Sequence, residues 1–124
     1  LYGTEHRDTL IEANNYASSL NGLERFEEAK ALLRRMIPVA RRVLGETDRL
    51  TLKMRSLYAK TLYEDPNATL DDLREAVTTL EDAERIARRV LGGSHPALAG
   101  IANSLRIARA ILGVREEMQP SGGA

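Results

Sequence analysis

The sequence contains no cysteine and no tryptophan, and aromatic residues make up only 4% of its 124 positions. Without cysteine, the chain can form neither a disulfide nor a thiolate metal site. With so few aromatic side chains, the core must be built from Leu, Ile, Val and Ala. The 18 Lys and Arg residues balance 18 Asp and Glu residues, so the net charge is 0. Nucleic-acid-binding domains are usually strongly basic, and we therefore predict no nucleic-acid partner.

The sequence also lacks the patterns typical of membrane-spanning segments, secretory signals and catalytic sites. No apolar run approaches the roughly 18 residues that a membrane helix needs, and no secretory signal pattern opens the chain. We therefore expect a cytoplasmic location and no membrane partner. Because the chain does not begin with Met, we expect it to be a piece of a longer protein. No Gly-x-Gly-x-x-Gly loop is present and no nucleophile is patterned with a base, so we predict no enzyme activity and no cofactor.

One hexapeptide occurs twice. Ala-Arg-Arg-Val-Leu-Gly occupies residues 40–45 and again residues 87–92, a separation of 47 positions (87 − 40 = 47). A fixed period of this length indicates stacked structural repeats. A single unit of such an array cannot bury its apolar face alone, so the units must stack. The length fits one domain.

Apolar periodicity and helix-end signals predict five helices. Their predicted ranges are 8–21, 26–44, 49–64, 70–91 and 96–116. Pro38 lies inside the second helix and predicts a kink near Arg34. Thr69 and Asp72 form a capping-box pattern at the start of the fourth helix. Gly45 follows the second helix and suits a left-handed stop.

These helices predict an all-α fold of antiparallel helix pairs. The first helices of the two pairs superimpose at a shift of 42 (52 − 10 = 42), which places Leu10 on Leu52 and Tyr16 on Tyr58. We expect a domain over residues 1–118 followed by a flexible tail over 119–124, where the residues are small and polar. Within the domain, repeat 1 spans about 2–44, repeat 2 about 45–91, and a half repeat or capping helix about 92–118.

Several short segments carry a resemblance to a known family. They read Thr-Glu-His-Arg-Asp-Thr-Leu at 4–10, Asn-Asn-Tyr-Ala at 14–17, Phe-Glu-Glu-Ala at 26–29, Val-Leu-Gly at 43–45 and Leu-Gly-Gly-Ser-His-Pro at 91–96. This combination resembles the tetratricopeptide repeat (TPR) of the kinesin-light-chain type. The second repeat departs from the pattern, with Ser56-Leu57 where the paired Asn stands. The resemblance implies a right-handed superhelix whose first helices line a concave groove that binds extended peptides.

The same resemblance implies which side chains face that groove. The candidate peptide-binding residues are Asn14, Asn15, Ser18, Lys53, Ser56, Lys60 and Asn103. Spacing supports this assignment independently, because Lys53, Ser56 and Lys60 lie at i, i+3 and i+7 on one helix face. Asn side chains carry both a donor and an acceptor and can satisfy a peptide backbone. The two lysines would attract an acidic side chain or a C-terminal carboxylate.

Other charged residues have simpler interpretations. His6 and His95 stand at equivalent positions before a first helix, where Asp48 stands in the second repeat, so we expect turn or cap roles and no catalysis. The Arg34, Arg35, Arg41 and Arg42 cluster is echoed on the fourth helix, and each cluster shares its helix with acidic residues. We therefore favour charge balance for these arginines over phosphate binding.

The predicted function is a protein-interaction scaffold that holds an extended, acidic peptide segment of a partner. One alternative is a structural or self-assembly segment of a longer solenoid with no peptide ligand of its own. Exposed apolar ends of the stack would allow a homodimer. A third hypothesis, an accessory or catalytic domain of an enzyme, has support only from sequence outside this chain.

Overall fold

The fold is known from a computed structural model, which describes residues 2–119 and the side chains from residue 6 onward. Five helices follow one another, and no strand occurs in this part of the chain. They are α1 (Tyr2–Gly22), α2 (Phe26–Val43), α3 (Arg49–Glu64), α4 (Leu70–Leu91) and α5 (Pro96–Met118). The all-α prediction is confirmed. The predicted flexible tail lies outside the described residues except for Gln119.

At the two junctions between repeats, before α3 and before α5, a side chain caps the start of the following helix. Asp48 precedes α3, and its Oδ1 accepts a hydrogen bond from the backbone N–H of Leu50 at 2.9 Å. His95 precedes α5, and its Nδ1 accepts from the N–H of Ala97 at 3.0 Å. Pro96 occupies the first helical position, where a missing N–H costs nothing. The predicted cap role is therefore confirmed for His95.

The ends of α2 and α4 are marked in the way that the sequence predicts. Thr69 and Asp72 form the reciprocal capping box at the start of α4, with both hydrogen bonds at 3.0 Å. Gly45 and Gly92 follow α2 and α4 with φ of +95° and +86°. A side chain at such a φ is strained, which explains why glycine recurs there. α2 continues through Pro38, and the predicted kink remains a prediction.

α1 begins earlier than the sequence predicts. The expected start was residue 8, whereas the helix begins at Tyr2. The prediction that His6 precedes the first helix is consequently wrong, because His6 lies inside α1 with an exposed side chain. In the other junctions, a glycine with positive φ ends a preceding helix. No glycine with positive φ precedes His6 among the described residues, and the backbone is helical from Tyr2 onward.

The five helices form two layers. Helices that follow one another along the chain pack together, and α3 also contacts both α1 and α5. In contrast, α2 and α4 do not contact each other within the described chain. We call α1, α3 and α5 the inner helices and α2 and α4 the outer helices. Because short connections join neighbours that pack closely, each pair is an antiparallel hairpin.

The core consists of the aligned positions of the two repeats. Ala29 and Ala76 are fully buried, as are Ala40 and Ala87, so small side chains let the helices approach closely. Larger fully buried residues fill the space between the layers: Leu10, Leu33, Met54, Leu62, Leu73, Leu80 and Leu105. Burial of each such aliphatic side chain contributes about 1.5–3 kcal/mol. The core therefore depends on stacking of the pairs, as expected for repeats.

α5 is unusually apolar. Its mean hydropathy reaches 1.3 over 18 residues, so it is long and apolar enough to cross a membrane by length and composition alone. Buried core helices of soluble folds pass the same test. One stripe of α5, including Leu98, Ile101 and Leu105, is buried in the stack. The helix also carries Arg106 and Arg109, which are costly within a bilayer.

Candidate functional site

A groove of about 670 Å³ opens where the three inner helices meet, and we call it the inner groove. α1 contributes Asn14 and Ser18 to its lining. α3 forms its floor, with polar side chains alternating with Leu50, Leu52 and Leu57. α5 contributes small residues, including Gly100, so this wall of the groove carries little bulk. The outer layer contributes only Leu91, at the end of α4.

Most of the candidate residues meet in this groove. Asn14, Ser18, Lys53, Ser56 and Lys60 all line it, although they come from two helices of different repeats. The i, i+3, i+7 spacing on α3 therefore does place three polar side chains on one accessible face. This arrangement supports the choice of surface, while peptide binding by these residues remains a prediction.

The other two candidates lie elsewhere. Asn103 lines a neighbouring cavity of about 750 Å³, which it shares with Lys60 and Tyr63. Its side-chain oxygen accepts a hydrogen bond from Arg106, one turn later on α5. Asn15 is exposed on α1 but lines neither cavity. Neighbouring residues on a helix point about 100° apart, and here Asn14 faces the groove while Asn15 faces solvent.

The inner groove is electropositive on a chain with no net charge. Its described lining side chains include Arg49, Lys53 and Lys60 together with His95, and none of them is Asp or Glu. One of these lysines forms a long ion pair, with Glu64 Oε2 4.0 Å from Lys60 Nζ. No ion pair among the described residues involves Lys53 or Arg49. Side chains of one sign in a concave site concentrate the field, which favours a negatively charged ligand.

Asn14 adds an unused acceptor to the groove. Its side chain is only 4% exposed, and its Oδ1 receives no hydrogen bond from the described residues. A buried oxygen without a donor costs about 1–3 kcal/mol. A ligand N–H that reached this oxygen would recover that energy. Because this oxygen is fully buried, a peptide N–H can reach it only if the Asn14 side chain turns toward the groove.

Sequence reasoning missed several lining residues, among them Arg49 and His95. The signal for Arg49 was present, because positions 49, 53, 56 and 60 continue the same helical stripe at i, i+4, i+7 and i+11. His95 was assigned to capping alone. It does cap α5, but its other ring nitrogen lies 2.8 Å from Arg49 Nη2 at the edge of the groove.

A polar network occupies the opposite side of α3. The Tyr58 hydroxyl accepts from Arg34 Nε at 2.8 Å and donates to Glu75 Oε2 at 2.7 Å, so it ties α2 and α4 to α3. The Arg34 guanidinium also lies 5.6 Å from the centre of the Tyr58 ring, within cation–π range. Burial and the hydrogen bond to Glu75 raise the pKa of Tyr58 to about 12.

Two more charged groups are buried between the layers. Arg55 Nη2 lies 2.8 Å from Asp82 Oδ2, and this hydrogen bond lowers the Asp82 pKa below its ordinary value. Lys30 Nζ lies 2.8 Å from Glu27 and 3.5 Å from Asp65. Burial alone would lower the Lys30 pKa, but the hydrogen bond and charge of Glu27 and the charge of Asp65 outweigh it and raise that pKa.

The arginines of the outer helices mostly pair with local partners. Arg41 pairs with Glu46 beyond the end of α2, and Arg85 pairs with Asp82 one turn away on α4. Arg88 lies 3.7 Å from Glu84. These contacts agree with the charge-balance interpretation. Among the described residues, no group of three or more His, Asp or Glu side chains could hold a metal ion.

Comparison with known proteins adds one match. The sequence model of the tetratricopeptide repeat family matches residues 13–49, which cover the second half of α1, all of α2 and the turn up to the first residue of α3. No curated protein and no solved structure matches the chain. The matched segment is the first helical hairpin with the following junction, and the second hairpin repeats its architecture. The kinesin-light-chain subtype stays a prediction.

Proposed function

We propose that this chain, whose residues 13–49 match the tetratricopeptide repeat family, holds an extended, acidic peptide segment of a partner protein in the inner groove. Tetratricopeptide repeats generally mediate protein–protein interaction, and the repeat is a non-enzymatic scaffold type. The observation that carries the proposal is the groove lining, which includes Arg49, Lys53 and Lys60 and, among the described side chains, no Asp or Glu. On a neutral chain, this local excess of positive charge selects for carboxylates.

The side chains of the groove can bind an extended peptide backbone as well as a negative charge. Ser18 and Ser56 can donate to or accept from a peptide backbone, and Asn14 adds an acceptor if its side chain turns toward the groove. Leu57 and Ile101 give apolar contact between these polar groups. Two and a half repeats form a short groove, so we expect micromolar affinity, about −8 kcal/mol. Each lysine acts mainly as a point charge, which tolerates sequence variation in the ligand.

A charge-reversal experiment tests this proposal. The Lys53→Glu, Lys60→Glu double variant reverses two exposed charges in the groove without touching the core. The Arg42→Glu, Arg89→Glu double variant makes the same change of net charge on the exposed faces of the outer helices. Each protein is checked for its helical circular dichroism signal and used to capture partners. The proposal expects loss of partners from the first variant only, and equal capture by both variants would contradict it.

A second candidate function, self-assembly through the ends of the stack, rests on a separate observation. Tyr16 is 58% exposed, whereas its equivalent Tyr58 is 6% exposed because α2 covers it. At the other end, Val114 and Met118 are 56% and 70% exposed on α5. Such apolar ends can stack on further repeats or on a second copy.

Sedimentation velocity across a range of protein concentrations tests this alternative. Self-assembly predicts a mass that rises with concentration, and Val114→Glu should abolish the rise because it puts a charge on the apolar end. A mass that stays at that of one chain at every concentration would count against self-assembly.

A further inference from the structure

The two repeat junctions are built alike, and the first contains an internal ion pair. Asp48 caps α3 with Oδ1, which accepts from the N–H of Leu50 at 2.9 Å. Its second oxygen, Oδ2, accepts from Arg7 Nη2 at 2.5 Å. The Asp48 carboxylate therefore has two roles at this junction: it caps α3, and it neutralises Arg7 of α1.

The second junction keeps the cap and the arginine but loses the carboxylate. His95 takes the place of Asp48 (95 − 48 = 47), and Arg49 takes the place of Arg7 (49 − 7 = 42). His95 Nδ1 accepts from the N–H of Ala97 at 3.0 Å, as Asp48 does from its own helix. Its Nε2 lies 2.8 Å from Arg49 Nη2, where Asp48 has its second oxygen. The two shifts are the ones that align the helices of the two repeats.

The contact between His95 and Arg49 cannot be a normal hydrogen bond while His95 also caps α5. A neutral imidazole carries one N–H, and its other nitrogen is an acceptor. If Nδ1 accepts from Ala97, then Nε2 carries the proton and faces the guanidinium, which has no acceptor. If the tautomer is reversed, the clash moves to the Ala97 N–H and the cap is lost. In either tautomer, one of the two contacts lacks an acceptor.

We propose that Arg49 and His95 form a subsite that binds a carboxylate of the ligand at the edge of the inner groove. A carboxylate between them accepts from the Arg49 guanidinium and from His95 Nε2–H at once, while Nδ1 keeps the cap of α5. The ligand thereby supplies the oxygen that Asp48 supplies internally at the first junction. The proposal that this carboxylate belongs to a peptide rests on the proposed function of the inner groove.

Three further observations point the same way. Arg49 takes part in no ion pair among the described residues, and both side chains line the groove that lacks acidic residues. Arg49 is the first residue of α3 and His95 is the cap of α5, so the positive ends of two helix dipoles meet there. Asn14, whose buried oxygen has no donor among the described residues, lines the same groove.

Three blocked pentapeptides test the subsite and separate the two sources of a carboxylate. The first, acetyl-Ala-Ala-Glu-Ala-Ala-amide, carries only a side-chain carboxylate. The second, acetyl-pentaalanine with a free C-terminus, carries only a terminal one, and acetyl-pentaalanine-amide carries none. Each is titrated into the ¹⁵N-labelled protein while the His95 ring and Ala97 amide resonances are followed. We expect saturable shifts with one or both of the charged peptides and none with the neutral peptide.

Three variants make the assignment specific. His95→Asp rebuilds the arrangement of the first junction, so the fold is retained, α5 stays capped and Arg49 acquires an internal partner. Arg49→Gln removes the guanidinium from an exposed position. Arg42→Gln removes one exposed positive charge from the outer layer and serves as the matched control. A charge-assisted hydrogen bond is worth about 1.5–3 kcal/mol, so the first two variants should bind at least about tenfold more weakly. The control should bind like the parent.

The outcomes separate this inference from the proposed function. Shifts confined to residues near Lys53 and Lys60, with His95 and Ala97 unmoved, would overturn the subsite and leave peptide binding in the groove intact. Unchanged binding by His95→Asp would overturn it as well. If no groove resonance moves with either charged peptide, even at the highest peptide concentration used, both ideas fail.

Discussion

The Tyr58 hydroxyl links three helices through two charged partners. It lies between Arg34 of α2 and Glu75 of α4, and its side chain is almost fully buried. Its counterpart in the first repeat, Tyr16, is mostly exposed because no described outer helix precedes α1. The same residue type in the same register thus has different energetic roles in the two repeats, and this contrast provides an internal control.

We expect Tyr58→Phe to lower the free energy of unfolding by about 1–2 kcal/mol, since it leaves Arg34 and Glu75 without their shared partner. Tyr16→Phe should change it little, because its hydroxyl is solvated. Urea denaturation of both variants measures the difference. Equal effects of the two substitutions would show that the network does not stabilise the stack.

The Tyr58 network should also impose a pH dependence at alkaline pH. Its pKa is raised to about 12 in the folded state, so the folded state favours the neutral phenol. The stabilisation is therefore complete below the unfolded pKa of about 10 and is lost as pH rises through the folded value. The stability difference between the parent and Tyr58→Phe should be constant at neutral pH and shrink between about pH 10 and 12. A difference that does not change over this range would contradict the assignment.

Asp82 should produce the opposite dependence. The hydrogen bond from Arg55 lowers its folded pKa below the unfolded value of about 4. Its contribution is thus present above about pH 4 and is lost as pH falls through the folded pKa. Asp82→Asn should cost about 1–3 kcal/mol at pH 7 and progressively less as the solution is acidified. Glu84→Gln, which alters a longer and more exposed pair on the same helix, serves as the control.

Single residues were harder to predict than helices. The stripe of Lys53, Ser56 and Lys60 could be predicted because helix geometry fixes which residues share a face. The second role of His95 could not be predicted. Its cap and its contact with Arg49 use different ring nitrogens, and only the three-dimensional structure shows both contacts. The burial of Asn14 depends on neighbouring helices and was equally hidden in the sequence.

The ends of the helices are set by local chemistry, and α4 offers a direct test. Thr69 and Asp72 satisfy each other's backbone N–H groups in the capping box. Thr69→Ala should lower the free energy of unfolding by about 1 kcal/mol, because one N–H at the helix start loses its acceptor. Thr78→Ala, at an exposed position within α4, should leave it unchanged or slightly raise it, since Ala favours helix. Thermal unfolding of the two variants distinguishes these results.

Helix boundaries were predictable where a cap or a glycine marks them. α3 and α4 have the predicted bounds because Asp48, Thr69 and Gly92 carry local signals that need no tertiary context. The start of α1 was not predictable by analogy with the other junctions, because those turns depend on a preceding helix that has to end. The exposed apolar face of α5 likewise follows from the absence of an outer helix after it in the described chain.

The repeat itself determines the shape of the molecule and the position of its groove. The middle inner helix, α3, contacts both α1 and α5, so the polar stripes of α1 and α3 converge on one cavity that α5 also lines. The location of this surface could be predicted from the period and from the family resemblance. Its positive charge arises from residues far apart in sequence, and it becomes evident only when the stack brings them together.

Site-specific photocrosslinking tests the central claim most directly. A photoreactive amino acid replaces Leu57, which lines the inner groove, or Val90, which is exposed on α4, in two otherwise identical proteins. Both are irradiated in extracts of the source cells and adducts are identified by mass spectrometry. The account predicts an adduct from position 57 that maps to an acidic segment of a partner and that disappears in the Lys53→Glu, Lys60→Glu background. Adducts with partners from position 90 alone would contradict it.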